Sequence, residues 1–198
     1  DGRKAVKLAK APKREPRRAR VADVRCIIDS IGQETWLELR DRAILQLMLD
    51  TGIRVSECSG LRVADANIKE RWLFIKAGKG DKDRRVPFSS ATALALSLYL
   101  MSRPAWKGKE LWLAASGQGN LRGALSNTGI TLMIKRHCAR LGINVINPHS
   151  IRHAFATKAI NDGIRVEIVS KLLGHASLAF TLSVYATLLS QTQQDEYD

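Results

Sequence analysis

Two arginines, two histidines, a lysine and a tyrosine stand in four short segments whose polar residues are not accounted for by packing alone. In TGIRVSE (51–57) Arg54 precedes Glu57 by three residues, so one helical turn can bring the acid against the guanidinium and hold it in a fixed pose. In AGKGDKDRRVP (77–87) Lys79 lies between two glycines, with Lys82, Arg84 and Arg85 close behind on a hairpin that can reach into a DNA groove. In NPHSIRHAFATKAI (147–160) His149 and Arg152 are three positions apart on the first turns of a helix, and projection from one side is expected. A helix start also attracts anions through its free N–H groups and dipole. In LLGHASLAFTLSVYA (172–186) His175 follows a glycine and Tyr185 lies ten residues further on.

Together these groups can bind a phosphodiester, neutralise a pentavalent transition state, supply protons and present an attacking oxygen. An unperturbed tyrosine has a pKa near 10, so attack near neutral pH requires a positive, proton-accepting site. There is no H-E-x-x-H, C-x-x-C or Walker sequence, and the Lys79 segment lacks the spacer and the following Ser or Thr of a P-loop; neither metal nor nucleotide cofactor is expected. Taken singly, each residue has a plainer reading. Arg54 suits a solvated surface, Lys79 a solvated turn, and His149 a cap or packing position. If the chain is helical from Ser177, then Leu178, Leu182, Tyr185 and Leu189 share a face, so Tyr185 also reads as core.

The elements that must position these residues are mostly helical. Val24, Ile27, Ile28 and Ile31 are spaced for one face of a helix from Asp23, with Gly32 as its stop. A second helix over 37–50 buries Ala43, Ile44, Leu47 and Met48 and ends at Gly52, and a short one follows over 55–60. The period then changes: VADANI, RWLFIKAG and DRRVPFS read as short antiparallel strands, the last two joined through GKGDK. Ser89 or Ser90 caps a helix through Met101, KELWLAA is a brief extended segment, and Ser126 or Asn127 caps a helix that ends at Gly142. Asn147 and Pro148 start the helix of His149 and Arg152, because proline at the first helical position loses no hydrogen bond. A helix over Val166–Leu173 stops at Gly174, and a last one carries Tyr185. The expected fold is mainly α with a small antiparallel sheet (α+β).

The 198 residues allow one well-buried domain plus tails, and the net charge of +13 calls for a polyanionic partner, nucleic acid before membrane surface. Residues 1–20 hold nine Lys or Arg against Asp1 and Glu15, supplying seven of those charges, and Pro12 and Pro16 interrupt any helix there. A basic linker or arm over 1–22, a folded domain over 23–190 and a tail over 191–198 are expected. Cys26, Cys58 and Cys138 are an odd number without close pairs, which favours a reducing compartment. No apolar run approaches the roughly 20 residues of a membrane span, so no membrane contact is expected. The cysteines and the basic charge together lead to the expectation of a cytoplasmic protein.

With these residues in hand, the chain resembles the catalytic domain of the tyrosine recombinases, the phage-integrase family that includes the Xer recombinases. TGIRVSE looks like the family's first arginine box, GKGDKDRRVP like its lysine hairpin, HSIRHAFAT like its His-x-x-Arg box, and LLGHASLAFTLSVYA like its final histidine and nucleophile box. The resemblance covers roughly residues 23–190 and implies that this domain is catalytic, with the tyrosine recombinase catalytic-domain fold. It implies that Arg54 and Arg152 clamp the non-bridging oxygens of the scissile phosphate, aided by His175, while Glu57 orients Arg54. Tyr185 would attack phosphorus, giving a 3′-phosphotyrosyl DNA and a free 5′-hydroxyl; Lys79 would protonate the leaving oxygen and His149 would assist proton movement. Lys82, Arg84 and Arg85 are expected DNA contacts. The implied activity is site-specific recombination or integration of double-stranded DNA, as in mobile elements, by a homotetramer on two sites, with accessory proteins among its partners. Such a protein would be nucleoid-associated. A type IB topoisomerase-like nicking and closing enzyme and a non-catalytic DNA-binding module of the same fold are the alternatives. Family members usually carry a core-binding domain ahead of the catalytic one, whereas here a linker-like basic segment precedes residue 23.

Overall fold

Thr35 and Glu38 start the central helix by reciprocal capping: the Glu38 amide donates to Thr35 Oγ1 at 3.2 Å and the Thr35 amide to Glu38 Oε2 at 2.9 Å. That helix, α2 (Trp36–Thr51), ends where Gly52 turns left-handed at φ 61°. In this computed structural model, which describes residues 19–76, 83–116 and 120–174, α2 is the element around which the others assemble. Its Ala43, Ile44, Leu45, Leu47 and Met48 are fully buried, so it shows its neighbours apolar surface on more than one side. Each such aliphatic side chain contributes roughly 1.5–3 kcal/mol on burial.

Preceding it, α1 (Val21–Ser30) lays Val24, Ile27 and Ile28 on the core, starting two residues earlier than the spacing predicts. After Gly52 comes α3 (Val55–Ser59), then a 3-10 turn over Val63–Asp65 leading into β1 (Ala66–Asn67). The expected VADANI strand is thus half turn and half strand, because Asp65 folds back to accept the Arg62 amide at 2.8 Å. β1 pairs antiparallel with β2 (Trp72–Ile75), and β2 with β3 (Arg84–Pro87), in the register Leu73↔Val86 and Ile75↔Arg84. Leu73, Ile75 and Val86 face the core, as two-residue alternation requires.

Ser89 caps α4 (Ser90–Ser102), which packs along α2; Thr92 and the Ser89 amide both donate to Asp50, fixing that crossing. KELWLAA supplies β4 (Leu113–Ala115), which pairs with β5 (Leu121–Ala124) across a register shift at Ala114 and Ala115. Ser126 caps α5 (Asn127–Arg140), whose Ile130, Met133, Ile134 and Cys138 form its buried face. Buried Asp41 accepts from Arg40 at 2.6 Å and meets His137 Nε2 at 2.9 Å, and Arg40 also donates to the Leu113 carbonyl at 2.7 Å. This polar node locks α2, α5 and β4 together, since any one member left unpaired there costs about 1–3 kcal/mol. Cys58 is pure packing: burial pushes its thiol up to about 12.

Asn147 accepts the Ser150 amide at 2.8 Å and Pro148 takes the first position of α6 (Pro148–Asn161). α6 packs on α2 and then on α7 (Val166–Leu173), where Phe155, Ala156, Ala159, Val169 and Leu173 make a second, smaller apolar cluster. A Cβ on Gly52 would lie 2.3 Å from Phe155 Cδ1 and 2.8 Å from Leu173 Cδ2, so only glycine lets the end of α2 pack against the middle of α6 and the end of α7. The chain is therefore mainly α with small antiparallel sheets. Among the described residues no helix is long and apolar enough to cross a membrane.

Candidate active site

The meeting point at Gly52 is where three arginines gather. Arg54 immediately precedes α3, and its position follows from Glu57 one turn on. Glu57 Oε2 accepts the Arg54 amide at 2.8 Å, while Arg54 Nη1 donates to Glu57 Oε1 at 3.2 Å. Arg54 Nη2 also donates to the Gly174 carbonyl at 3.1 Å. Its side chain remains 38% exposed, so this guanidinium is anchored at one edge and open to solvent at another.

Arg152 comes from the second turn of α6 and is buried, reaching between two helix ends. Its Nη1 donates to the Gly52 carbonyl at 2.8 Å and its Nη2 to the Leu173 carbonyl at 2.7 Å. His149 lies one turn earlier on the exposed start of α6, so the expected common side divides in depth: arginine inside, histidine at the rim. His149 Nε2 is 2.8 Å from His153 Nε2, with the rings edge to face; one ring donates and the other accepts. His153 played no part in the expectations, although its four-residue spacing from His149 marks it as a helical neighbour.

Arg84, expected among the DNA contacts, is instead turned inward. Its Nη1 and Nη2 grip Glu57 at 2.8 and 2.9 Å and its Nε donates to the Leu172 carbonyl at 2.8 Å, with the side chain only 10% exposed. Strand alternation was the available signal, since Arg84 shares a face of β3 with buried Val86. Arg85 takes the opposite face, exposed, with its guanidinium 4.6 Å from the Trp72 ring centre. Lys79, Lys82, His175 and Tyr185 lie outside the described residues.

Glu57 is thus shared by two guanidiniums, Arg54 and Arg84, while Arg152 is held on the Gly52 and Leu173 carbonyls, leaving a local positive excess suited to an anion such as a phosphodiester. Burial by itself would raise the Glu57 pKa; the Arg84 hydrogen bonds, the Arg54 amide and the charges of both arginines outweigh it and hold Glu57 below the usual 4.5. Because the folded value is the lower one, the stability Glu57 contributes is complete above the unfolded value and is lost as pH falls through the folded value. Glu57→Gln should therefore destabilise the protein at neutral pH, by less than the roughly 3–5 kcal/mol of losing a buried partner outright. The difference from the parent should shrink below about pH 4. Urea melts at both pH values check this; a constant difference would remove the charge from the explanation.

The model of the phage integrase family matches residues 18–192. The chain belongs to that family. It is 34% identical over 176 residues to the tyrosine recombinase XerA of Pyrococcus horikoshii, covering 89% of this chain and 59% of that protein. It is 36% identical over 187 residues to the tyrosine recombinase XerD of Ralstonia nicotianae, covering 91% of this chain and 59% of that one. The integrase-family chain thus spans about three-fifths of the length of these relatives. A crystal structure of XerA recombinase superposes with a TM-score of 0.74 at 27% identity, over 91% of this chain and 66% of the other. XerH site-specific recombinase, bound to difH substrate in a pre-cleavage complex, gives 0.67 at 25% identity, over 84% and 48%.

Proposed function

We propose that this chain is the catalytic part of a site-specific recombinase that breaks and rejoins double-stranded DNA through a 3′-phosphotyrosyl intermediate. The observation that carries the proposal is the anchoring of Arg54 and Arg152 on adjacent carbonyls, Gly174 and Leu173, at the end of α7. Two guanidiniums fixed in this way need little reorganisation to meet the charge that grows on a phosphate as it becomes pentavalent.

In this reading the Tyr185 oxygen attacks phosphorus and its proton leaves with the assistance of His149. The bond from phosphorus to the 5′-oxygen breaks, and Lys79 delivers a proton to that oxygen. A phosphotyrosyl ester replaces the DNA ester, so a 5′-hydroxyl can reverse the step without a nucleotide. Exchange between two duplexes would use four copies of the chain, and Lys82 and Arg85 would contact the DNA backbone. The relatives above are recombinases by name, which favours strand exchange over topoisomerase-like nicking and closing or a non-catalytic module.

The test uses a pool of nicked duplexes randomised across the cleavage region, so that a released fragment diffuses away and traps the covalent state. Denaturing electrophoresis should reveal protein carrying an attached oligonucleotide, and sequencing the captured DNA would define the site. Failure to trap any adduct, with DNA bound, would overturn the catalytic reading.

A further inference from the structure

The last turn of α7 has three carbonyls beyond the reach of its own helical ladder: the Gly174 amide, which caps it, bonds back to Ser170 and Lys171. Those of Leu172, Leu173 and Gly174 are taken in succession by Arg84, Arg152 and Arg54, at 2.8, 2.7 and 3.1 Å. Three cations at the negative end of a helix dipole are favourable in themselves. Arg84 differs from the other two in what it does with its remaining groups. Its Nη1 and Nη2 face the Glu57 carboxylate that also holds Arg54, so every nitrogen of its guanidinium is engaged. A Cβ on Gly174, which is left-handed at φ 66°, would fall 2.7 Å from Arg84 Nη1, so the backbone passes tightly over this guanidinium.

We propose that Arg84 is a positioning residue of the strand-cleavage reaction: by holding Glu57 and the Leu172 carbonyl together, it sets the Arg54 guanidinium against the end of α7, from which the chain continues to His175. This rests on the catalytic reading above and assigns Arg84 to the catalytic geometry in place of DNA contact. Arg84 follows Lys79 by five residues, so the same side chain also pins β3, at the end nearer Lys79, to α3 through Glu57 and to the end of α7 through Leu172.

Arg84→Lys is the informative variant. Lysine keeps the charge, so a DNA-phosphate contact survives, but a single ammonium cannot grip a carboxylate with two parallel bonds and a carbonyl with a third. On the duplex selected from the randomised nicked pool, the adduct should form at least about tenfold more slowly at saturating DNA, with affinity within about threefold of the parent, since misplacing a fixed group costs rate before binding. Arg84→Ala should lose more rate with the same split. Parental rate in Arg84→Lys, or weakened affinity with undiminished rate in Arg84→Ala, would overturn the proposal.

Amide hydrogen exchange decides the matter without activity and even if the alanine variant folds poorly. In Arg84→Lys, exchange should quicken in α3 and at 170–174 together while α1 and α5 keep their protection. Unchanged exchange at both places would equally overturn the proposal. A parent chain that forms no adduct would count against the catalytic reading alone, leaving exchange to judge the coupling by Arg84.

Discussion

Tyr185→Phe should abolish covalent attachment to nicked DNA, a loss of at least about 10³-fold in rate, because no other group replaces a missing nucleophile. Affinity should stay within about threefold, because one hydroxyl adds little to a surface that binds mainly through phosphate charge. Phenylalanine keeps the ring and therefore the apolar face that Leu178, Leu182 and Leu189 would share with it, so a melting temperature close to the parent's is expected. The measurement is the fraction of protein shifted on a denaturing gel, run beside a binding titration. An undiminished adduct in the variant would remove Tyr185 as the nucleophile while leaving a covalent mechanism in place.

Arg152→Ala carries the second large effect, on two fronts. The guanidinium is expected to contact the phosphate most strongly as negative charge develops, so cleavage should fall about 10²–10³-fold, the usual cost of removing one such donor. Affinity should fall far less, because the ground-state phosphate carries less charge than the transition state. The same substitution strips partners from the Gly52 and Leu173 carbonyls, each left buried at a cost of about 1–3 kcal/mol. Melting should therefore drop noticeably, and kinetics belong at a temperature where the variant is folded. Arg152→Lys, which keeps a charge and one carbonyl bond, should recover stability more than rate. Equal proportional losses of rate and affinity in Arg152→Ala would argue that it only binds.

The helices were legible because the signals that start and stop them are local. Ser89, Ser126, Asn147 with Pro148, and the left-handed Gly52 and Gly174 each act within a few residues of chain. β5 was not legible: Leu121–Ala124 contains a glycine and lacks alternation, and it is a strand only because β4 offers it a partner. The Arg54–Glu57 pair was legible for the same local reason as the helices, being one turn apart.

Arg84 shows where local reading stops. Its charge and its place among Lys79, Lys82 and Arg85 pointed outward to DNA, yet its partners are Glu57, 27 positions away, and Leu172, 88 away. What the sequence determined by itself was the supply: basic groups, a carboxylate one turn from Arg54, a helix start before Arg152 and a glycine ending α7. What only the tertiary structure decided was the sharing of those groups. Arg54 meets Gly174 across 120 positions and Arg152 meets Gly52 across 100, so their geometry depends on how α2, α6 and α7 pack at Gly52. Short-range spacing is set by the 3.6-residue helical period, whereas contacts across such separations form only when apolar burial has brought the helix ends together.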